Sequence, residues 1–140
     1  MNPIDSYGGS VMKLHPLTLS LLVISLGAVT STAQEKGSTL FEKKCAACHV
    51  KQRPAYEEMK NLIAPPIMGV MTHVKNAKTT KTEAVSFIND YIFDPTPAKA
   101  LCMKQSIERF GLMPSQKGSL TKEESTAIAE YLYDNYGYGK

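Results

Sequence analysis

The sequence contains no tryptophan, only three cysteines and three histidines, and almost no stretch in which apolar and polar residues alternate. Each scarcity excludes something. Three cysteines cannot build the disulfide framework of a small secreted scaffold. Missing strand-like alternation argues against a βαβ unit, and with it against a thioredoxin-like reading of any Cys-x-x-Cys pair. Charge of one sign is not in excess either. With 16 Lys and Arg against 13 Asp and Glu, the net charge of +3 is mildly basic and does not imply a nucleic-acid partner. The longest apolar run, Leu17 to Ala28, falls short of the roughly 20 residues a bilayer-spanning helix needs.

That run has the setting of an export signal instead. Met12-Lys13-Leu14-His15-Pro16 forms a short basic segment before it, and Ser31-Thr32-Ala33 supplies small residues for cleavage after it. The expectation is an N-terminal extension and secretory signal over residues 1–33 and one mature domain over 34–140 beginning at Gln34. Residues 1–11 have no signal character, which makes Met12 a candidate start. An exported chain, periplasmic if the source is a Gram-negative bacterium, works in an oxidising compartment. No cysteine lies near the cleavage point, so lipid attachment there is not indicated.

What the sequence does have is Cys45-Ala46-Ala47-Cys48-His49. Cys-x-x-Cys-His is the pattern by which a haem is attached covalently, two thiols reaching the vinyl groups on one porphyrin edge and the following imidazole binding iron. Cys45 and Cys48 are therefore the expected cofactor-binding residues and His49 the expected proximal iron ligand. A zinc site needs four soft or imidazole ligands. Only Cys102, His49 and His73 could join the pair, at spacings that fit no known finger. Cys102 has no partner once the other two carry thioethers, and reads as a buried inert thiol. A porphyrin would also enlarge the modest core that a chain without tryptophan can build; without it, poor folding is expected.

Around the motif the pattern is helical. Ser38 is a plausible N-cap for a first helix ending near the cysteines, with Phe41 and Cys45 four residues apart on one face. Paired prolines, Pro65 and Pro66, cannot sit inside a helix and mark a loop over 64–70. Thr80 with Glu83 is a capping box opening a helix to Phe93, on which Ala84, Ile88, Tyr91 and Ile92 share a face. Asp94-Pro95-Thr96-Pro97 breaks that helix and starts another, about 98–110, stopped by Gly111. Thr121 with Glu124 caps a last helix to about Tyr136, after which Gly137-Tyr138-Gly139-Lys140 reads as a frayed tail. Arg53, Tyr56 and Arg109 are candidates for binding haem propionates. Met59, Met68, Met71 and Met103 read as flexible core filling, and His73, in a lysine-rich stretch, as a surface residue.

Gly37, Phe41, Cys45, Cys48 and His49 together resemble the opening of class I c-type cytochromes, and Gly111-Leu112-Met113-Pro114 resembles the sixth-ligand loop of their single-domain bacterial members. The likeness extends from Gly37 to about Tyr136. It implies an all-α fold of about four or five helices around one covalently bound haem c, with the first helix crossing the last at Gly37, Phe41, Ile128 and Tyr131. The Pro-Pro-x-x-Gly-Val string resembles the haem-edge loop in which a carbonyl accepts the proximal imidazole's N–H. Met113 would be the distal ligand, a soft thioether that favours Fe(II). The implied function is single-electron transfer between periplasmic or membrane redox proteins by a monomer that is not an enzyme. The alternative is a haem enzyme or gas sensor with a displaceable distal ligand. Lys43, Lys44, Lys51, Arg53 and Lys60 cluster around the motif, and such a rim would steer docking to acidic partners.

Overall fold

The last helix is the element against which three of the others are packed, and its sequence explains why. In the computed structural model, which describes residues 28–138 and side chains from residue 33, six helices follow in order: α1 Ala28–Lys44, α2 Tyr56–Met59, α3 Ile67–Ala77, α4 Lys81–Phe93, α5 Lys104–Phe110 and α6 Lys122–Asn135. The fold is all-α. Among the described residues, extended pairing is limited to an isolated bridge between Lys117 and Leu120. Ser125, Ile128, Ala129 and Leu132 recur at helical spacing along α6 and are all buried. They meet α1, α4 and α3, which supply Phe41, Ala84, Ile88, Ile67, Met71 and Val74 to the same core.

Two capping boxes set the starts of α4 and α6. Thr80 Oγ1 accepts from the Glu83 N–H at 3.2 Å while Glu83 Oε2 accepts from the Thr80 N–H at 3.1 Å. Thr121 and Glu124 repeat the exchange at 3.1 and 2.9 Å. Each box satisfies two donors the helix itself leaves orphaned. The two helices are then pinned side by side. Lys81 reaches Asp134 at 2.7 Å, the buried Ser125 hydroxyl donates to the Asn89 side-chain oxygen, and Asn89 Nδ2 donates to Thr126 Oγ1 at 3.0 Å.

α1 crosses α6 at Gly37. A Cβ there would lie 2.3 Å from the Ala127 carbonyl oxygen and 2.6 Å from Tyr131 Cβ, so only glycine permits this approach. One turn later Phe41, fully buried, has Tyr131 and Tyr136 at ring-centroid distances of 6.1 and 6.3 Å. The crossing read from the family resemblance is thus present, with Gly37 and Phe41 against Tyr131 and with Ile128 buried in the same core.

The structure corrects several expectations. Ser38 does not cap α1, which runs through it from Ala28; no proline interrupts residues 28–44, and α6 covers the Gly37 face that would otherwise favour fraying. The signal's basic segment, residues 17–27 of its apolar run and the 1–11 extension lie outside the described residues. The loop expected over 64–70 ends at Pro66, and α3 starts at Ile67, because Ile67, Met71 and Val74 form a buried i, i+4, i+7 stripe. The helix expected over 98–110 begins only at Lys104. Before it, Lys99 bonds Asp94 at 2.7 Å and Asp90 at 3.0 Å, folding residues 94–99 back onto the end of α4. The tail is docked as far as Tyr138, whose N–H donates to Thr72 Oγ1 at 3.1 Å; Gly137, at φ +103°, makes the turn that allows it. Among the described residues the helices number six, one of them, α2, a single turn.

Candidate haem-binding site

The Cys45–His49 segment is the unwound end of α1. Cys45 and Ala46 N–H groups both donate to the Phe41 carbonyl at 2.8 and 3.0 Å, and Cys48 and His49 N–H groups to the Cys45 carbonyl at 3.0 and 2.9 Å. This tight turn places both sulfurs and the imidazole beyond the helix end. An ion pair between Glu42 and Lys51 closes the segment across its base. Both cysteines are free thiols, Cys45 half-buried and Cys48 exposed. Burial, with Cys48 adding to it, pushes the Cys45 thiol up to about 11. A dithiol redox pair attacks through a thiolate of lowered pKa, and Cys45 is shifted the other way. Among the described residues no three His, Cys, Asp or Glu side chains converge to hold a metal ion alone.

His49 is oriented from outside its own turn. Its Nδ1 lies 2.8 Å from the Pro65 carbonyl oxygen. A carbonyl can only accept, so Nδ1 carries a proton, and the nitrogen left to offer a lone pair to a metal is Nε2. The loop that presents Pro65 is itself tied down, since the Ile67 N–H donates to the Val50 carbonyl at 3.0 Å. The proline string singled out in sequence thus provides the accepting carbonyl.

Met113, half-buried, stands in the loop between α5 and α6. Gly111 ends α5 at φ +74°, a conformation that favours glycine, with its N–H on the Ile107 carbonyl at 2.8 Å. Beyond Met113, Ser115 Oγ donates to the Phe93 carbonyl at 2.6 Å and the Gln116 N–H to the Ile92 carbonyl at 2.8 Å. These two anchors were not read from the sequence; the polar Ser115-Gln116 pair directly after Pro114 was the only signal. Met71 is spent in the core, Met103 is 59 % exposed, and Met59 and Met68 are half-buried. His73 is half-buried on α3 rather than on the surface.

Of the propionate candidates, two stand at the surface and one is bonded to backbone. Tyr56 and Arg53 are exposed, and the Arg109 guanidinium donates to the Met59 carbonyl, joining α5 to α2. The cationic rim is also thinner than its sequence, because Lys51 pairs with Glu42 and Lys60 with Glu57. Cys102 is half-buried. No helix among the described residues is long and apolar enough to cross a membrane.

The profile of the family described as cytochrome c oxidase, cbb3-type, subunit III matches residues 32–132. The chain belongs to this family of c-type cytochrome domains. An uncharacterized protein of Aquifex aeolicus (strain VF5) is 33 % identical to the cytochrome over 136 residues, covering 88 % of this chain and 89 % of its own length. No solved structure matches. Such a cytochrome domain carries covalently bound haem c, and the residues present fit that group. Two unpaired thiols and an imidazole with its outer nitrogen fixed share one turn. Neither α2 nor α5 has a buried residue, and Ile63, Met103 and Leu112 beside them are exposed apolar side chains, of the type that can pack on a flat apolar ring.

Proposed function

We propose that this cytochrome is a single-electron carrier holding one haem c through thioethers at Cys45 and Cys48, with His49 and Met113 as axial ligands. The observation that carries the reading is the His49 Nδ1 to Pro65 hydrogen bond of 2.8 Å. It fixes both tautomer and ring plane, the role an outer partner has at a histidine ligand, and it raises the basicity of Nε2. The bound group supplies a reversible Fe(II)/Fe(III) couple. Cys45 and Cys48 hold it against exchange, and the buried side of α1 keeps their turn rigid. Met113 contributes a soft ligand that favours the reduced state and raises the potential. Held by both His49 and Met113, the group would have no coordination site left for a substrate, which would suit transfer rather than turnover.

The partners proposed are redox proteins on the exported side of a membrane, and the family's description supports a terminal oxidase complex as the class of acceptor or host. Exposed Lys43, Lys44 and Arg53 would favour an acidic docking face.

Visible spectra of wild type and four variants test the ligand set. Wild-type ferric protein is expected to be low-spin with a thioether-to-iron charge-transfer band. Met113→Ala should lose the band and become high-spin or water-bound, whereas Met68→Leu, Met103→Leu and His73→Ala should keep it. Retention of the band in Met113→Ala with its loss in one of the other three would move the assignment to that residue.

A further inference from the structure

We infer that Ser115 is the latch that sets how readily Met113 leaves its position, a role that rests on Met113 being the distal ligand. The loop between α5 and α6 is held unequally at its two ends. On the α5 side its support is a seven-residue helix with no buried residue, joined to α2 through the Arg109 to Met59 carbonyl bond. On the other side the loop is bonded to the two last carbonyls of α4. Ser115 Oγ donates to Phe93 at 2.6 Å and the Gln116 N–H to Ile92 at 2.8 Å. These are acceptors a helix C-terminus leaves open, so the loop doubles as the cap of α4.

α4 is the right element to anchor to. It is fixed to α6 by the Lys81 to Asp134 pair and by the Asn89 bond to Thr126, and Ala84 and Ile88 bury its inner face. The Ser115 hydroxyl also accepts from the Lys117 N–H at 3.3 Å, which orients its own proton toward Phe93. Between this fixed point and Met113 stands only Pro114, whose φ is locked. Gln116 Nε2 also donates to the Pro114 carbonyl at 2.8 Å, but that bond stays within the loop; Ser115 is the residue nearest the sulfur whose side chain ties the loop to α4, and its hydroxyl transmits the rigidity of the α4–α6 pair to the ligand. Acting through Met113, it is a positioning residue.

The test is imidazole binding to ferric protein, since added imidazole can bind only when Met113 has moved away and its apparent affinity scales with the fraction of open loop. Losing one hydrogen bond of ordinary strength should raise that fraction about three- to tenfold. Ser115→Ala is expected to tighten the apparent imidazole Kd by that factor and weaken the thioether charge-transfer band, while Ser115→Thr, which keeps the hydroxyl, restores both. Ser119→Ala, a serine in the same loop whose side chain makes none of these bonds, should match wild type. Denaturant midpoints of all four proteins separate the latch from a general loss of stability: a lowered midpoint in Ser115→Ala with an unchanged imidazole Kd overturns the latch. A wild type that lacks the charge-transfer band altogether overturns the Met113 assignment, and the latch with it.

Discussion

Gly37→Ala should destabilise this cytochrome even though alanine is the better helix former. The added methyl would sit 2.3 Å from a backbone oxygen and 2.6 Å from a Cβ, against about 3.5–4.0 Å for comfortable carbon contacts. Neither neighbour can rotate away, because Ala127 O belongs to the backbone of α6 and Tyr131 Cβ is rigidly attached to it. The helices must separate by about 1 Å or more, loosening the packing around Phe41 and Ile128 that the crossing holds closed. Overpacking of this kind costs about 1–3 kcal/mol, and an unyielding contact belongs at about 3. Helix propensity returns about 1 kcal/mol, leaving a net loss of about 2 kcal/mol. Urea unfolding of fully haem-loaded protein, followed by far-UV circular dichroism, should show a lower midpoint at unchanged slope. Thr39→Ala, exposed two residues on, should instead gain about 0.5 kcal/mol from propensity alone. A Gly37→Ala protein as stable as wild type would refute the close crossing.

Three further outcomes are expected. Phe41→Ala, at a fully buried ring between Tyr131 and Tyr136, should cost about 3–5 kcal/mol in the same assay. Hydrogen bonds from the Thr79 side chain and from Thr80 hold the Glu83 carboxyl below its ordinary value of 4.5, so its contribution is complete above that value and is lost as pH falls through the lowered folded one. The stability difference between wild type and Glu83→Gln should accordingly shrink on acidification, and a difference that grows would contradict the capping geometry. Transfer to an acidic redox partner should slow as salt rises, given screening over about 10 Å at 0.1 M. Lys43→Glu with Arg53→Glu should slow it several-fold at low salt, and Lys60→Glu, already paired with Glu57, should do less; stopped-flow rates indifferent to both would reduce the rim to a solvated surface.

The parts of the fold legible in sequence are those in which one residue type answers one local requirement. Thr-x-x-Glu at 80–83 and 121–124 caps helices because the hydroxyl and carboxylate fit the orphaned N–H groups, and Gly37 marks the crossing because no other residue fits it. The Cys45 to His49 pattern is legible for the same reason. What stayed hidden depends on partners distant in sequence. Ser38 looks like a cap until α6 is seen to stabilise the helix beyond it, and residues 98–103 look helical until Lys99 is drawn to Asp90 and Asp94. Arg109 gives no local sign of the Met59 carbonyl it bonds 50 residues away. The Ser115 bond to Phe93 spans 22 residues, which no local pattern encodes.

Mass spectrometry of the mature protein after acid–acetone extraction tests the central claim most directly. Thioethers at both Cys45 and Cys48 should keep one haem on the polypeptide through the extraction; Cys45→Ala should retain it in part, and the double change with Cys48→Ala should release it. A wild-type mass equal to that of the bare chain would contradict the account.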